Sequence, residues 1–586
     1  MREFEMHRPK VSAYQKMQAG MPLLVFLSYV ICSTHLIQAQ AVFPLPGWFK
    51  NNIGRPAADE KSKMVSDYLN SLNKDGKLSL TEADVIRLVL ENNLDVVVER
   101  YDPRLAFFDI ERAYTLFDPK LQFTLSAGRS TTPLPTNFLT GVNSLTDLQH
   151  MANFTFSQLF QTGTQYQIEF DNARQSSNNL RNLVNPLISS SLRATITQPL
   201  LKNFGLLPNT RFIRISRNNR DISEHLFAQK IIDMINLVQN LYWDLVFARE
   251  DIKVKQRSLD LATKTNEDNK RQVEIGTLAP IEVVKSESEI ANRKEDLIVA
   301  EFTLKQMEDQ MKKLITSLGD PAQITSSIEP LDPTLSPSAL KDFDLAQAVS
   351  YAIEARPEIK QARKQIENGE IDIQYFRNQL LPRADLSVSY GTAALAGPSK
   401  VFAPDGTLLP GPVSGLEDNL HTLFRRDFPT YNAQITVEIP IKNRSGQADY
   451  ARASIAKRQA ERNLKALEQR IALEVRNAHT QLEMNRARIE ATQKARELAE
   501  KNLDAEQKKF QLGTSTIRFV LEEQRNLAVA QSNELRALVD FTKSKNDLEK
   551  AMGKTLEAHS IRIEDAIAGK IEPSKQTLTT PAAGGN

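Results

Sequence analysis

The sequence predicts an α+β membrane protein in which long α-helical hairpins and amphipathic transmembrane β-strands occur in two internal repeats, with too few strands per chain to close a barrel alone. Three observations carry this prediction. A motif order recurs at a nearly constant offset, two helical stretches run without proline for more than sixty residues, and period-two segments lie between helices.

The chain begins with a basic segment containing Arg8, Lys10 and Lys16, followed by the apolar run Met21 to Ile31 and by Ala39-Gln40-Ala41. That run is too short to span a bilayer and precedes a small-x-small cleavage pattern, so residues 1–41 read as a secretory signal peptide with the mature chain starting near Val42. Cys32 is the sole cysteine and falls inside it, which leaves the mature chain without disulfides or thiolate chemistry. Tyr29, Val30 and Ile31 are too bulky for a lipidation box. An N-terminal extension, 42–79, follows. Near its end Ser71, Asn73, Asp75, Gly76, Ser79 and Glu82 fall at calcium-loop spacing with Ser in place of the first Asp, and a turn capping the next helix is the simpler reading.

The 586 residues are 41% hydrophobic and 25% charged, the composition of a folded chain. Lys+Arg 74 against Asp+Glu 72 leaves a formal charge of +2 with no basic run, so a nucleic-acid partner is not expected. After the signal no stretch of eighteen apolar residues occurs, and mean hydropathy is -0.38. An exported chain of this kind is either soluble or a β-barrel, because only helices and closed barrels satisfy their backbone in lipid. The seven histidines are scattered, with no zinc-protease, nucleophile-elbow or phosphate-loop motif, so neither an enzyme nor a cofactor or metal site is expected.

The first repeat, 80–342, and the second, 343–553, announce themselves together. Val85 to Leu94 followed by Phe117-Asp118-Pro119-Lys120 recurs as Ala348 to Pro357 followed by Leu380-Leu381-Pro382-Arg383, at an offset of 263 residues. Gln198-Pro199-Leu200 then answers Ile439-Pro440-Ile441 at 241, and the segments around Gly276 and Gly513 answer each other at 237. The difference puts 22 extra residues between the strands of the first half.

Each half opens with a helix, Leu80 to Phe117 or Leu345 to Leu380, ended by Pro119 or Pro382. Strands follow at 121–130 and 189–198, then at 384–391 and 430–439. Phe123, Leu125 and Ala127 alternate with Gln122, Thr124 and Ser126, and Ile435, Val437 and Ile439 alternate with Gln434, Thr436 and Glu438. Four strands of roughly nine to eleven residues suit a bilayer but cannot close; three copies would supply twelve. The extra residues read as a hairpin, with Phe154 and Phe156, a turn at Gly163, then Tyr166, Ile168 and Phe170; it either stands above the membrane, the favoured reading, or adds strands to the barrel.

Long helical hairpins come next, 209–318 and 446–552. Phe227, Ile231, Met234, Val238, Leu241, Leu245, Ala248 and Ile252 show the 4-3-4-3 spacing of coiled-coil packing, as do Leu464, Leu467, Ile471, Val475, Ala478 and Leu482. The outward helices extend about 100 Å and the returning ones about 60 Å at the rise of an α-helix, so the short helices that lead into the strands complete the length. The linker 319–342 is rich in proline and serine and suits an irregular equatorial band. Residues 554–586 read as a C-terminal equatorial segment and a disordered tail from Ser574.

The paired repeat starts, the better one FDLAQAVSYAIEARPEI from Phe343, the strand entries at Pro119 and Pro382, and the helix tips VEIGTLAPIEVV and FQLGTSTIRFVLEE together resemble the TolC family of outer-membrane efflux proteins. The resemblance covers about Leu78 to Gly553. It implies a homotrimer whose β-barrel lies in outer-membrane lipid and whose helices form a periplasmic α-barrel that meets an inner-membrane transporter and a periplasmic adaptor, or membrane fusion protein. By the same resemblance the adaptor docks at Gly276, Thr277 and Leu278 and at Gly513, Thr514 and Ser515, although a glycine that ends a helix also has a purely local reason.

The family closes its periplasmic mouth with carboxylates six and nine residues after the second-half glycine; here Phe519 and Glu522 stand there. Glu282 takes the corresponding first-half position, Phe510 a position that helps lock the closed state, and Ser515 replaces a basic residue. The function implied is an outer-membrane duct for tripartite efflux. A duct for type I protein secretion is the alternative within this fold, and a soluble periplasmic coiled-coil adaptor the alternative outside it.

Overall fold

The computed structural model describes residues 72–74, 77–136, 140–316, 326–332, 344–402 and 407–568. The signal peptide, Cys32, most of the N-terminal extension, most of the linker 319–342 and the tail from Ser574 lie outside the described residues.

Strands β1 (Asn73–Lys74) and β2 (Lys77–Leu80) lead into a helix capped by Thr81, whose hydroxyl accepts from the Asp84 amide while the Asp84 carboxylate accepts from the Thr81 amide. The stretch expected as one helix to Phe117 is divided. It comprises α1 (Glu82–Asn92), α2 (Leu94–Glu99) and α3 (Tyr101–Tyr114), ending in a 3-10 turn, Thr115–Phe117. The first break has a clear cause: the Asn93 side chain accepts from the Asp95 and Val96 amides and starts a new helix.

Strands β3 (Lys120–Pro133), β4 (Ser144–Leu159), β5 (Gln165–Ser177) and β6 (Leu187–Pro199) follow, then the short α4 (Leu206–Asn209), α5 (Arg211–Glu274) and α6 (Pro280–Ile315). Strand β7 (Ser327–Pro330) lies within the linker expected to be irregular and pairs parallel with β2, which is antiparallel to β1. The second half runs α7 (Leu345–Ala355), α8 (Pro357–Gln379), β8 (Arg383–Ala396), β9 (Pro398–Phe402), β10 (Leu408–Val413), α9 (Leu416–Arg425), β11 (Pro429–Glu438), α10 (Arg444–Gln511) and α11 (Ile517–Met552). Pro357 has no amide hydrogen to continue α7, so it begins α8 instead. Two short helices, α12 (Thr555–Ala558) and α13 (Ile563–Ala568), finish the described chain.

One antiparallel sheet holds six strands in the order β11-β8-β6-β5-β4-β3. This corrects the expectation for the extra hairpin. Strands β4 and β5 sit inside the sheet between β3 and β6, so the chain contributes six strands rather than four. The strands also run longer than expected, with 14 residues in β3 and in β8 and 13 in β6. The registers place residues directly opposite one another on a common face. Leu121 and Phe123, Phe156 and Phe154, Ile168 and Phe170, Ala194 and Leu192, Tyr390 and Tyr431 thereby share one face through successive pairings. Gln122, Thr155, Thr195, Ser389 and Asn432 share the other. Aromatic pairs tie neighbouring strands on the apolar face: the rings of Phe123 and Phe154 lie 5.1 Å apart, and those of Tyr390 and Tyr431 5.2 Å. Toward the far end of β6 and β8 this face is covered by α9, a helix the sequence did not announce. Its Leu423 and Asn419 are fully buried, and Asn419 Nδ2 donates to the Ile188 carbonyl at 2.9 Å.

The 64-residue α5 and 68-residue α10 come to roughly 96 and 102 Å at 1.5 Å per residue. Their 4-3-4-3 seams face inward, each position buried or half-buried as the spacing requires. Val238, Tyr242 and Leu245 on α5 pack with Leu78, Leu80, Val85 and Leu88, with Met311 and Ile315 of α6, with Ile328 of β7 and with Val539 of α11. Ile471, Val475 and Leu482 on α10 pack with Ala352 of α7, Ile359 of α8 and Ala537, Phe541 and Leu548 of α11. The C-terminal helices close over a third cluster, where Ala566 meets Ile86, Leu90, Phe227 and Ile231. A polar network crosses this waist. Gln239 Nε2 donates to Glu82 Oε1 at 2.6 Å and lies 3.1 Å from His559 Nε2, while the Tyr242 hydroxyl donates to Asp332 Oδ2 at 2.8 Å. Burial raises the pKa of Glu82 and lowers that of His559. The Glu82 carboxylate is thus engaged at the waist by Gln239, and Ser71, Asp75 and Gly76 of the calcium-like spacing lie outside the described residues.

Candidate gate and docking tips at the helix ends

Both long helices end in the same way. In the first tip the Gly276 amide donates to the Val273 carbonyl at 3.0 Å and the Thr277 amide to the Gln272 carbonyl at 2.9 Å; in the second Gly513 donates to Phe510 and Thr514 to Lys509 at the same two distances. Gly276 has φ +78 and Gly513 +76, the left-handed conformation that a helix-ending loop requires. A Cβ on either would meet nothing within 4 Å, so the backbone angle alone calls for glycine there. The Thr277 and Thr514 hydroxyls donate to the same Gln272 and Lys509 carbonyls, and Pro280 starts α6.

Gly276, Thr277, Gly513 and Thr514 are exposed, while Leu278 and Ser515 are half-buried. The Ser515 hydroxyl donates to Glu506, which also pairs with Lys509 at 3.0 Å; these two contacts, Ser515 first, hold the Glu506 carboxyl below its ordinary range. Two residues were not singled out from sequence: Ile275, 72% exposed, and Leu512, 79% exposed, each just before its glycine. The signal was present in the motif itself, an apolar residue at the same place in both tips.

The four gate candidates separate into three settings. Phe519, 51% exposed, and the exposed Glu522 lie one turn apart on an open face of α11, and Glu522 has no ion pair among the described residues. Glu282 sits on α6 and is drawn to Lys285 Nζ at 2.8 Å, with its Oε2 buried. No hydrogen bond or ion pair joins it to Glu522 among the described residues. Phe510 packs instead into an internal cluster of Leu503, Ile517, Val520 and Leu521, together with Leu261 of α5. It fastens the second tip to the first helix.

Behind the tips the hairpins are clasped. Glu289 of α6 is held by Arg293, one turn on, and by Arg525 Nη2 of α11 at 3.0 Å; Gln524 Nε2 donates to Thr265 Oγ1 of α5 at 2.9 Å.

Long paired helices with exposed glycine tips, continued by a sheet that is apolar on one side and polar on the other, narrow the family. Residues 348–554 match the model described as outer membrane efflux protein. Over that stretch, most of the second repeat, the chain is similar to that family. The pyoverdine export outer membrane protein OpmQ of Pseudomonas aeruginosa is 24% identical over 334 residues, or 56% of this chain and 63% of its own. The match therefore spans less than two thirds of that relative's length. Among solved structures, the CmeC outer membrane channel of Campylobacter jejuni aligns with a TM-score of 0.58 at 15% identity, covering 92% of this chain and 98% of CmeC. CusC aligns at 0.57 and 16%, covering 89% of this chain and 100% of CusC. At these identities the structures speak for the fold, which here means long helices joined to a β-domain.

Proposed function

We propose that this chain is the outer-membrane duct of a tripartite efflux system, a homotrimer that takes small molecules from an inner-membrane transporter and a periplasmic adaptor to the exterior. The sheet carries the reading. Six strands present one apolar and one polar face, leave both edge strands open, and continue directly into helices of roughly 100 Å. Such a surface is costly in water and useful in lipid, where the apolar face meets acyl chains and the polar face lines an aqueous lumen. A soluble adaptor has no use for it. Residues 1–41 would direct export, and the two helical repeats would stand in the periplasm.

Within this reading the tips dock the adaptor through Gly276, Thr277 and Leu278 and through Gly513, Thr514 and Ser515, with Ile275 and Leu512 as apolar anchors beside them. Phe519 and Glu522 face the narrowed mouth, where a ring of three carboxylates favours cations. Glu282, paired with Lys285, contributes less field, and Phe510 acts by holding the tip closed. The Pseudomonas relative is named for pyoverdine export, and small-molecule export is the cargo class we extend to this chain. Protein secretion remains the other use of the same duct.

The test is fractionation of the expressed protein followed by planar-bilayer recording of the purified mature chain. Detergent-requiring oligomers that form ion-conducting channels are expected. A water-soluble monomer that leaves bilayers silent would overturn the proposal.

A further inference from the structure

We infer that a belt of basic side chains at the far rim of the apolar face, Arg129, His150 and Arg174 on the sheet with Arg425 and Arg426 at the end of α9, binds the phosphate groups of outer-leaflet lipid. The inference rests on the outer-membrane reading above, which makes the apolar face the lipid side and the end of the sheet away from the long helices the outer one.

The charges of the six strands are sorted by face. The registers put all five carboxylates, Asp147, Glu169, Asp171, Asp385 and Glu438, on the polar face, together with Lys120, Arg193 and Arg383. On the apolar face the strands carry Arg129, His150 and Arg174 and no acidic side chain. His150 lies directly opposite Arg174 on one side and opposite Ala127, two residues from Arg129, on the other. All three are exposed, and none has an ion pair among the described residues. A face that excludes carboxylates and sets basic groups side by side presents a positive potential to whatever lies against it.

These groups also share a level. Arg129 is nine residues from the helix-side end of β3, His150 nine from that of β4 and Arg174 nine from that of β5. At about 3.3 Å per residue and a tilt of about 40°, nine residues rise about 23 Å. The lipid-facing apolar band of an outer-membrane barrel is about 25 Å tall. The belt therefore stands where acyl chains give way to headgroups, with Phe123, Phe154 and Phe170 below it on the same face.

Helix α9 brings the second part of the belt to this level. The Thr392 hydroxyl donates to the Leu423 carbonyl at 3.3 Å, and Thr392 is nine residues from the helix-side end of β8. With Asn419 and Leu423 buried against the sheet, Phe424 turns outward at 57% exposure, and Phe428, just beyond the helix, is 62% exposed. The Arg425 side chain is 65% exposed, with Asp427 at 3.5 Å. Arg426 is exposed at φ +63, a helix end where glycine is the usual residue. The acidic residues of α9, Glu417 and Asp418, lie in its first turn, beside Asn419, which bonds to Ile188 opposite Ala396 and so stands farther from the bilayer. Apolar rings at the boundary with guanidinium groups beside them are the pattern of a helix lying in a lipid interface. Arginine's planar fork suits phosphate oxygens, which it can engage in pairs.

Titrating the detergent-purified, delipidated channel with diphosphorylated lipid A tests this, with native mass spectrometry counting bound lipid and planar-bilayer conductance checking the duct. Arg129→Gln with Arg174→Gln, and separately Arg425→Gln with Arg426→Gln, are each expected to weaken binding about 25-fold, at roughly fivefold per arginine, while conductance and oligomer mass hold. Arg129→Lys with Arg174→Lys keeps the charge and is expected to recover most of the binding. Lipid A stripped of its phosphates is expected to bind the parent as weakly as the glutamine pairs bind the intact lipid. Conducting glutamine variants that hold lipid A as tightly as the parent would overturn the belt. So would an equal loss in Arg193→Gln, on the polar face, or full displacement of the lipid by inorganic phosphate at matched phosphate concentration, the mark of a simple anion site. A parent chain that neither conducts nor needs detergent would remove the outer-membrane reading and the belt with it.

Discussion

The clasp behind the tips makes a quantitative prediction. The Glu289 side chain is 8% exposed and Arg293 10%, while Arg525 is 57% exposed. Arg293→Met strips a buried carboxylate of its main partner and leaves it only the more exposed Arg525, which should cost about 3 kcal/mol. Arg525→Ala removes a half-exposed partner while Arg293 stays in place, and after solvent screening the loss should be about 0.5 kcal/mol. Replacing both buried charges, Glu289→Leu with Arg293→Met, should restore stability to within about 1 kcal/mol of the parent, because apolar side chains of similar size need no counter-charge. Native-state proteolysis of the detergent-solubilised protein, read as the susceptibility of α6 and α11, measures all three. If Arg525→Ala proves as damaging as Arg293→Met, or if the double variant is no better than Arg293→Met, burial does not govern this clasp and the reasoning fails.

Other outcomes follow from the tips and the waist. Glu522→Lys should lower cation selectivity measured from the mouth side, and unchanged selectivity would remove Glu522 from the constriction. Gly513→Ala should cost about 1–2 kcal/mol in thermal unfolding from its left-handed angle alone, whereas a markedly larger loss would mean that the tip packs against something the added methyl strikes. At the waist, burial lowers the pKa of His559, so its contribution to stability is present above the ordinary imidazole value and is lost as pH falls through the lower folded one. Glu82 is shifted upward by burial, so its contribution has the opposite sense, present at acid pH and lost as pH rises. His559→Gln should therefore flatten the loss of melting temperature below about pH 6.5; an unaltered slope would exclude the imidazole as its source.

The helical framework was legible because its signals are local and repeated. A 4-3-4-3 seam carried through Phe227, Ile231 and Val238, or through Ile471 and Val475, cannot be satisfied by another structure over that length, and Gly276 and Gly513 end the helices where a left-handed residue is needed. The breaks at Asn93 and Arg356 were harder to read, since each depends on a cap or a proline acting inside a continuous apolar pattern. The alternation of Phe154 and Phe156 with their neighbours identified strands, but whether β4 joins β3 or stands apart is a question of partners far along the chain, which alternation leaves open. The same distinction applies at the site. Turn position is encoded locally, whereas the inward packing of Phe510 and the pairing of Glu282 with Lys285 depend on what lies across the helix.

The unbroken α5 and α10 stand beside partners interrupted at Asn93, Arg100 and Arg356, and only the two uninterrupted rods run the whole way from tip to sheet. In the proposed duct they would act as a ruler for the distance between two cellular layers. A heptad added to one alone would leave its tip about 10 Å beyond the other, so relatives spanning a deeper gap should carry matched insertions in both rods, in steps that preserve the seam.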